Sequence, residues 1–153
     1  MFSRLTAALI LFFFLGCAQP KYISEADSSG AGQQSTGTKA SCDIRFSNSK
    51  FCLSWFWENK PTSTVEGILI FKIYKLNAFD QTAIQLDAQE LPQLVLWMPS
   101  MGHGSTPSVV QRLDVGTYRA TEVFFIMPGE WDLKFQIKTG SEVTDEALVQ
   151  IVL

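Results

Sequence analysis

The chain has 153 residues, of which 46% are hydrophobic and 18% charged, and 12 basic against 15 acidic side chains leave a formal net charge of −3. So apolar a composition excludes a wholly disordered chain, and the acidic balance excludes electrostatic capture of nucleic acid or of an anionic membrane surface. With the N-terminal segments set aside, about 110 residues remain, enough for one domain with its own core.

The first segment carries one positive side chain, Arg4, and then runs uncharged from Leu5 through Phe12-Phe13-Phe14-Leu15-Gly16 to Cys17. A membrane-spanning helix needs about 20 apolar residues, so this shorter run reads as a cleaved signal over 1–16. Phe14-Leu15-Gly16-Cys17 resembles the bacterial lipobox, in which a small residue precedes the cysteine that is acylated before cleavage; Phe14 stands where leucine is usual. Cys17 is therefore expected to carry the lipid, the alternative being an ordinary secretory signal with Cys17 as a bystander. By resemblance to sorted lipoproteins, Ala18 in place of Asp after the acylated cysteine leans toward the outer membrane in a host that has one. Residues 17–41 follow as a tether rich in Ser, Gly, Gln and Thr, too poor in large apolar groups to offset its ordering entropy.

Acylation of Cys17 leaves two of the three cysteines, Cys42 and Cys52. In an oxidising compartment two such residues suggest a disulfide, here stapling a hairpin around Ser47-Asn48-Ser49. A pair of metal thiolates is the rival reading, and the wide spacing with no neighbouring histidine weighs against it.

From 42 to 153 the apolar residues recur with a period near two, interrupted by Gly, Pro, Asn and Asp, which is the pattern of an all-β domain. Strands are predicted near 43–47, 50–58, 65–76, 92–98, 108–113, 117–126, 130–138 and 145–152. Phe51, Leu53, Trp55 and Trp57 form one apolar face, which should point into a core. Seven or eight strands with short connections predict an immunoglobulin-like antiparallel sandwich. Two places offer the aromatic lock that this fold sets at a strand start: Asp114-x-Gly116-x-Tyr118, the better match, and Pro128-Gly129-Glu130-Trp131.

One stretch stands apart from the framework. Trp97-Met98-Pro99-Ser100-Met101-Gly102-His103-Gly104 holds the only histidine and two of the three methionines left after Met1, and the third, Met127, sits at another strand-to-turn junction. Were both junctions at one end of the sandwich, three thioethers and an imidazole would converge. Neutral soft sulfur with borderline nitrogen favours cuprous copper over zinc, calcium or magnesium. The plainer alternative makes Met98 an extension of the core alternation Leu94, Leu96, Met98, with Met127 likewise following Val123 and Phe125, His103 a surface residue, and the glycines mere turn geometry.

The run Met98-Pro99-Ser100-Met101-Gly102-His103-Gly104, followed by Gly116-Thr117-Tyr118-Arg119-Ala120 and Phe125-Ile126-Met127-Pro128-Gly129-Glu130-Trp131, resembles the YtkA-like domain family, relatives of the FixH proteins. The likeness covers roughly 65–153 and implies an exported immunoglobulin-like sandwich. FixH-type members accompany copper-transporting pumps that serve oxidase assembly, so a copper pump or an oxidase-assembly protein is the implied partner. Carried over residue by residue, the likeness points to Met98, Met101, His103 and Met127 as metal donors, with Trp97 and Trp131 as aromatic neighbours. No nucleophile elbow, phosphate loop or paired carboxylates suggest catalysis, and Glu130 and Asp132 are expected to be solvated charges. A non-catalytic interaction module of the cell envelope is the competing expectation.

Overall fold

The computed structural model describes residues 40–62 and 64–153. The signal over 1–16, the acylation site Cys17 and the tether up to residue 39 lie outside the described residues. Among the described residues there is no helix, and ten strands follow in order: β1 (Ile44–Arg45), β2 (Cys52–Asn59), β3 (Gly67–Leu76), β4 (Ala83–Gln85), β5 (Gln93–Met98), β6 (His103–Gly104), β7 (Val109–Asp114), β8 (Thr117–Val123), β9 (Glu130–Thr139) and β10 (Glu142–Val152).

The strands form two antiparallel sheets. One runs β1-β2-β3-β8-β7 with β4 on the far part of β3; the other runs β10-β9-β5-β6. Without the short β1, β4 and β6, the order β2-β3-β8-β7 against β10-β9-β5 is that of an immunoglobulin domain, in which strands A, B, E and D face G, F and C. The expected all-β sandwich is therefore present. The expectation missed β4 and β6. Ala83, Ile84 and Gln85 are all exposed, so no alternation marks them, and β6 is two residues inside a Gly/Pro-rich loop.

Alternation is what assembles the interior. Leu53 on β2, Leu69, Phe71 and Ile73 on β3, and Tyr118 and Ala120 on β8 face Leu94, Leu96 and Met98 on β5 and Trp131, Leu133 and Phe135 on β9. Phe71 stacks on Tyr118 and meets Phe135 edge-on, both with ring centroids 5.2 Å apart. Phe51, Trp55 and Trp57 pack against this core from the same face of the chain as Leu53. Burial of so many large apolar side chains from both sheets is the main favourable term in folding.

One covalent and two polar ties close the edges. Cys42 and Cys52 form the expected disulfide, joining the start of the domain to β2. Asp145, nearly buried, accepts hydrogen bonds from Asn48 N–H at 2.7 Å and Ser49 N–H at 2.8 Å, pinning the β1–β2 turn to β10. Burial alone would raise its carboxyl, but the bonds from Ser49, Asn48 and Glu146 outweigh that and hold it below the ordinary carboxylate range. Asp87 receives a bidentate Arg112 guanidinium at 2.9 and 2.8 Å and the Gly116 N–H at 2.9 Å.

The two candidate aromatic locks part company here. Tyr118 Oη accepts Ala88 N–H at 3.0 Å and contacts Asp87, so it ties β8 to the β4–β5 connection and not to its own preceding turn. Trp131, at the start of β9, donates its Nε1–H to the Met127 carbonyl four residues upstream at 3.1 Å. The corner position of the fold is thus filled by an indole, contrary to the better sequence match.

Candidate metal centre

The β5–β6 hairpin brings two of the singled-out residues face to face. Met98 and His103 are direct cross-strand partners, and Trp97 pairs with Gly104. Partners in an antiparallel pair project to the same side of the sheet. The turn between them is closed by Met101 N–H and Gly102 N–H, which both reach the Met98 carbonyl, at 3.2 and 3.0 Å. Gly102 adopts φ +67°, a left-handed conformation that a residue without Cβ takes at little cost.

The Met127 turn comes to the same end. A Cβ added to Gly129 would lie 2.8 Å from Met98 Cε, so the Met98 side chain reaches as far as the Met127-Pro128-Gly129 backbone. Gly129 in turn exchanges both backbone hydrogen bonds with Leu153, at 3.1 and 3.0 Å, fixing the turn to the end of the chain. Trp131 links the pieces: besides its bond to Met127, its ring lies 6.4 Å from that of His103 and 5.3 Å from Phe125. Phe125 continues to Trp57 at 6.2 Å and Trp57 to Trp55 at 5.6 Å. Both predicted junctions therefore lie at one end of the sandwich, behind an aromatic wall whose members Trp55, Trp57 and Phe125 sequence reasoning read only as core.

The four candidate donors differ in setting. Met98 is 2% exposed and belongs to the core cluster beside Leu94 and Leu96; Met127 is half-buried and packs against that cluster. His103 is half-buried, and Met101, on the turn tip, is 59% exposed. His103 Nδ1 lies 3.2 Å from the Gly104 carbonyl. A carbonyl can only accept, so a hydrogen bond here requires the tautomer with the proton on Nδ1, the one that leaves the Nε2 lone pair open to a metal.

Trp97 occupies the opposite face of β5 from Met98, with the Lys134 ammonium 5.5 Å from its ring centre. It is separated from the Met98–His103 face by the sheet itself. Asp132, expected as a solvated charge, is only 8% exposed and accepts from Gln150 Nε2 at 3.3 Å, whereas Glu130 is exposed as expected. Register explains the correction: Asp132 sits between Trp97 on β5 and Gln150 on β10, in the middle of its sheet.

Among the described residues, no three His, Cys, Asp or Glu side chains gather where they could hold a metal ion. A metal at this end would be held by thioethers and one imidazole, the donor set that suits a soft monovalent ion. In comparisons with known proteins, no family model, no curated protein and no solved structure matches the chain.

Proposed function

We propose that the chain is an exported lipoprotein, anchored through an acylated Cys17, whose YtkA-like β-sandwich binds cuprous copper and hands it on without catalysis. Its place would be the cell envelope, with the domain facing the periplasm or exterior and the outer membrane favoured. The reading rests on one observation above others. Met98 and His103 are cross-strand partners on the inner face at the sheet end, and the Met127 turn is tied against the same place.

Met98, Met127 and Nε2 of His103 are the donors this arrangement supports, and the exposed Met101 is suited to pass the ion between solvent or a partner and the inner three. The partner class is a copper pump or an oxidase-assembly protein. Thioethers do not protonate in the working range, so the sulfurs keep their lone pairs for the ion at mildly acidic pH.

A second reading is favoured by the burial of Met98 among Leu94 and Leu96. There Met98 and Met127 are packing residues, and the domain is an envelope interaction module that binds no metal. Titration of residues 40–153 with cuprous copper against a competing chelator separates the two. Sub-micromolar, one-to-one binding that is lost in both Met98→Leu and His103→Ala is expected, since leucine keeps the packing volume while removing the sulfur. Equal weak binding by all three proteins would remove the copper reading and leave the interaction module.

A further inference from the structure

The end of the sandwich opposite the Met98–His103 pair carries the most exposed aromatic side chain among the described residues. Phe79, in the turn between β3 and β4, is 99% exposed. Four backbone hydrogen bonds brace the turn that presents it. Gln81 N–H reaches the Asn77 carbonyl at 3.0 Å, Asn77 N–H the Thr82 carbonyl at 2.9 Å, Phe79 N–H the Asn77 carboxamide oxygen at 2.9 Å, and Thr82 N–H the Asp80 carboxylate at 3.0 Å. Such a turn holds its aromatic tip outward, and its bonded backbone groups do not need water.

The N-terminal segment joins the domain at this turn. Ala40 N–H donates to the Gln81 carbonyl at 3.1 Å, and Tyr74 Oη donates to the Ser41 carbonyl at 2.6 Å. Ala40, the first described residue, therefore lies beside the turn that carries Phe79. The register puts the two ends far apart: Cys52 pairs with Tyr74 near the Phe79 turn, whereas Trp57 pairs with Leu69 and Gly67 with Val123 at the end where Trp57 meets Phe125. From Gly67 to Leu76, β3 covers about 30 Å at a rise of about 3.3 Å per residue.

We infer that the Phe79 turn is a second membrane contact, seated in the lipid headgroup layer next to the anchor, and that it points the Met98–His103 end away from the bilayer. The inference rests on the reading of Cys17 as the acylated residue. Tethering raises the effective concentration of the turn at the surface, so that one aromatic ring suffices where it could not hold a free protein. The one formal charge on the turn, Asp80, attracts no anionic lipid, so the contact is apolar in origin.

The test uses the mature acylated chain in vesicles of phosphatidylethanolamine and phosphatidylglycerol, with a nitroxide on Ala78→Cys or, for comparison, on the exposed Glu130→Cys at the far end. The label at 78 should be on the order of tenfold less accessible to a water-soluble nickel relaxant than the label at 130. Phe79→Ser, which keeps the anchor and the turn, should abolish that difference. A chain begun at residue 18, which lacks the lipid, should show equal access at both sites without vesicles. Equal access in vesicles, with the acyl mass present on Cys17, would overturn the membrane contact and leave the anchor intact. Shielding of 78 in the lipid-free chain would overturn it in favour of a protein occupant, either the chain's own N-terminal segment or a second copy. Absence of acyl mass on Cys17 would remove the anchor and the inference together.

Discussion

The Nε1–H of Trp131 donates to the carbonyl of Met127 at 3.1 Å, so the indole that faces His103 also fixes the turn from which Met127 projects. One side chain thus sets the relative position of two candidate donors. Trp131→Phe keeps an aromatic ring but removes the donor and some volume. It should cost about 1–3 kcal/mol in denaturant unfolding and weaken cuprous binding more than a stability loss of that size explains. A Trp131→Phe protein with unchanged copper affinity would separate the lock from the site.

Gly129 stands at φ +138° with Met98 Cε against it. Ala at this position meets both an unfavourable backbone region and the methionine methyl. Gly129→Ala is expected to destabilise by about 1–3 kcal/mol. Because Met98 is flexible at its tip, part of the cost should vanish in the Met98→Ala background, giving a non-zero coupling in a double-mutant cycle. Strict additivity would show that the two residues do not touch in solution.

Asp87 is held at about 2, first by the Arg112 guanidinium and then by the Gly116 N–H. A carboxyl lowered on folding stabilises the native state above its unfolded value of about 3.9, and the contribution fades as pH falls toward about 2. Wild type should be more stable than Asp87→Asn at neutral pH. The gap should narrow between about pH 4 and pH 2 in thermal melts, and a pH-independent gap would refute the assignment.

The disulfide closes a short loop around the β1–β2 turn, joining residues ten apart in sequence. Replacing both Cys42 and Cys52 by serine should lower stability by about 2–3 kcal/mol on the loop-entropy account. Cys52 is buried, so Cys52→Ser alone should be worse than Cys42→Ser alone. Chemical reduction should destabilise the wild type by a comparable amount and leave the double serine variant unchanged.

Much of the fold was legible in the chain because alternation is a local signal. Leu53, Trp55 and Trp57 on β2, or Leu94, Leu96 and Met98 on β5, declare an inner face wherever the strand ends up. The two short strands escaped because neither exposed β4 nor a two-residue β6 contains an alternation to read. The choice of corner residue escaped for another reason. Asp114-x-Gly116-x-Tyr118 has the local spacing, but a hydroxyl bonds whatever backbone the fold brings to it, and here that is Ala88.

By itself the sequence determined what is set by composition and period: an apolar N-terminal run ending at Cys17, an all-β domain after it, a cysteine pair suited to a staple, and three thioethers with one imidazole in two Met-Pro motifs. Tertiary structure decided how those donors stand. Cross-strand register made partners of Met98 and His103, the Trp131 lock and the Gly129 turn brought Met127 to the same end, and the hairpin turn left Met101 exposed at its tip. It also buried Asp132, put Trp97 on the other face, and set Phe79 beside the point where the chain joins the domain. These are relations between residues distant in sequence, and the pairing of strands fixes them; the period of any single strand cannot.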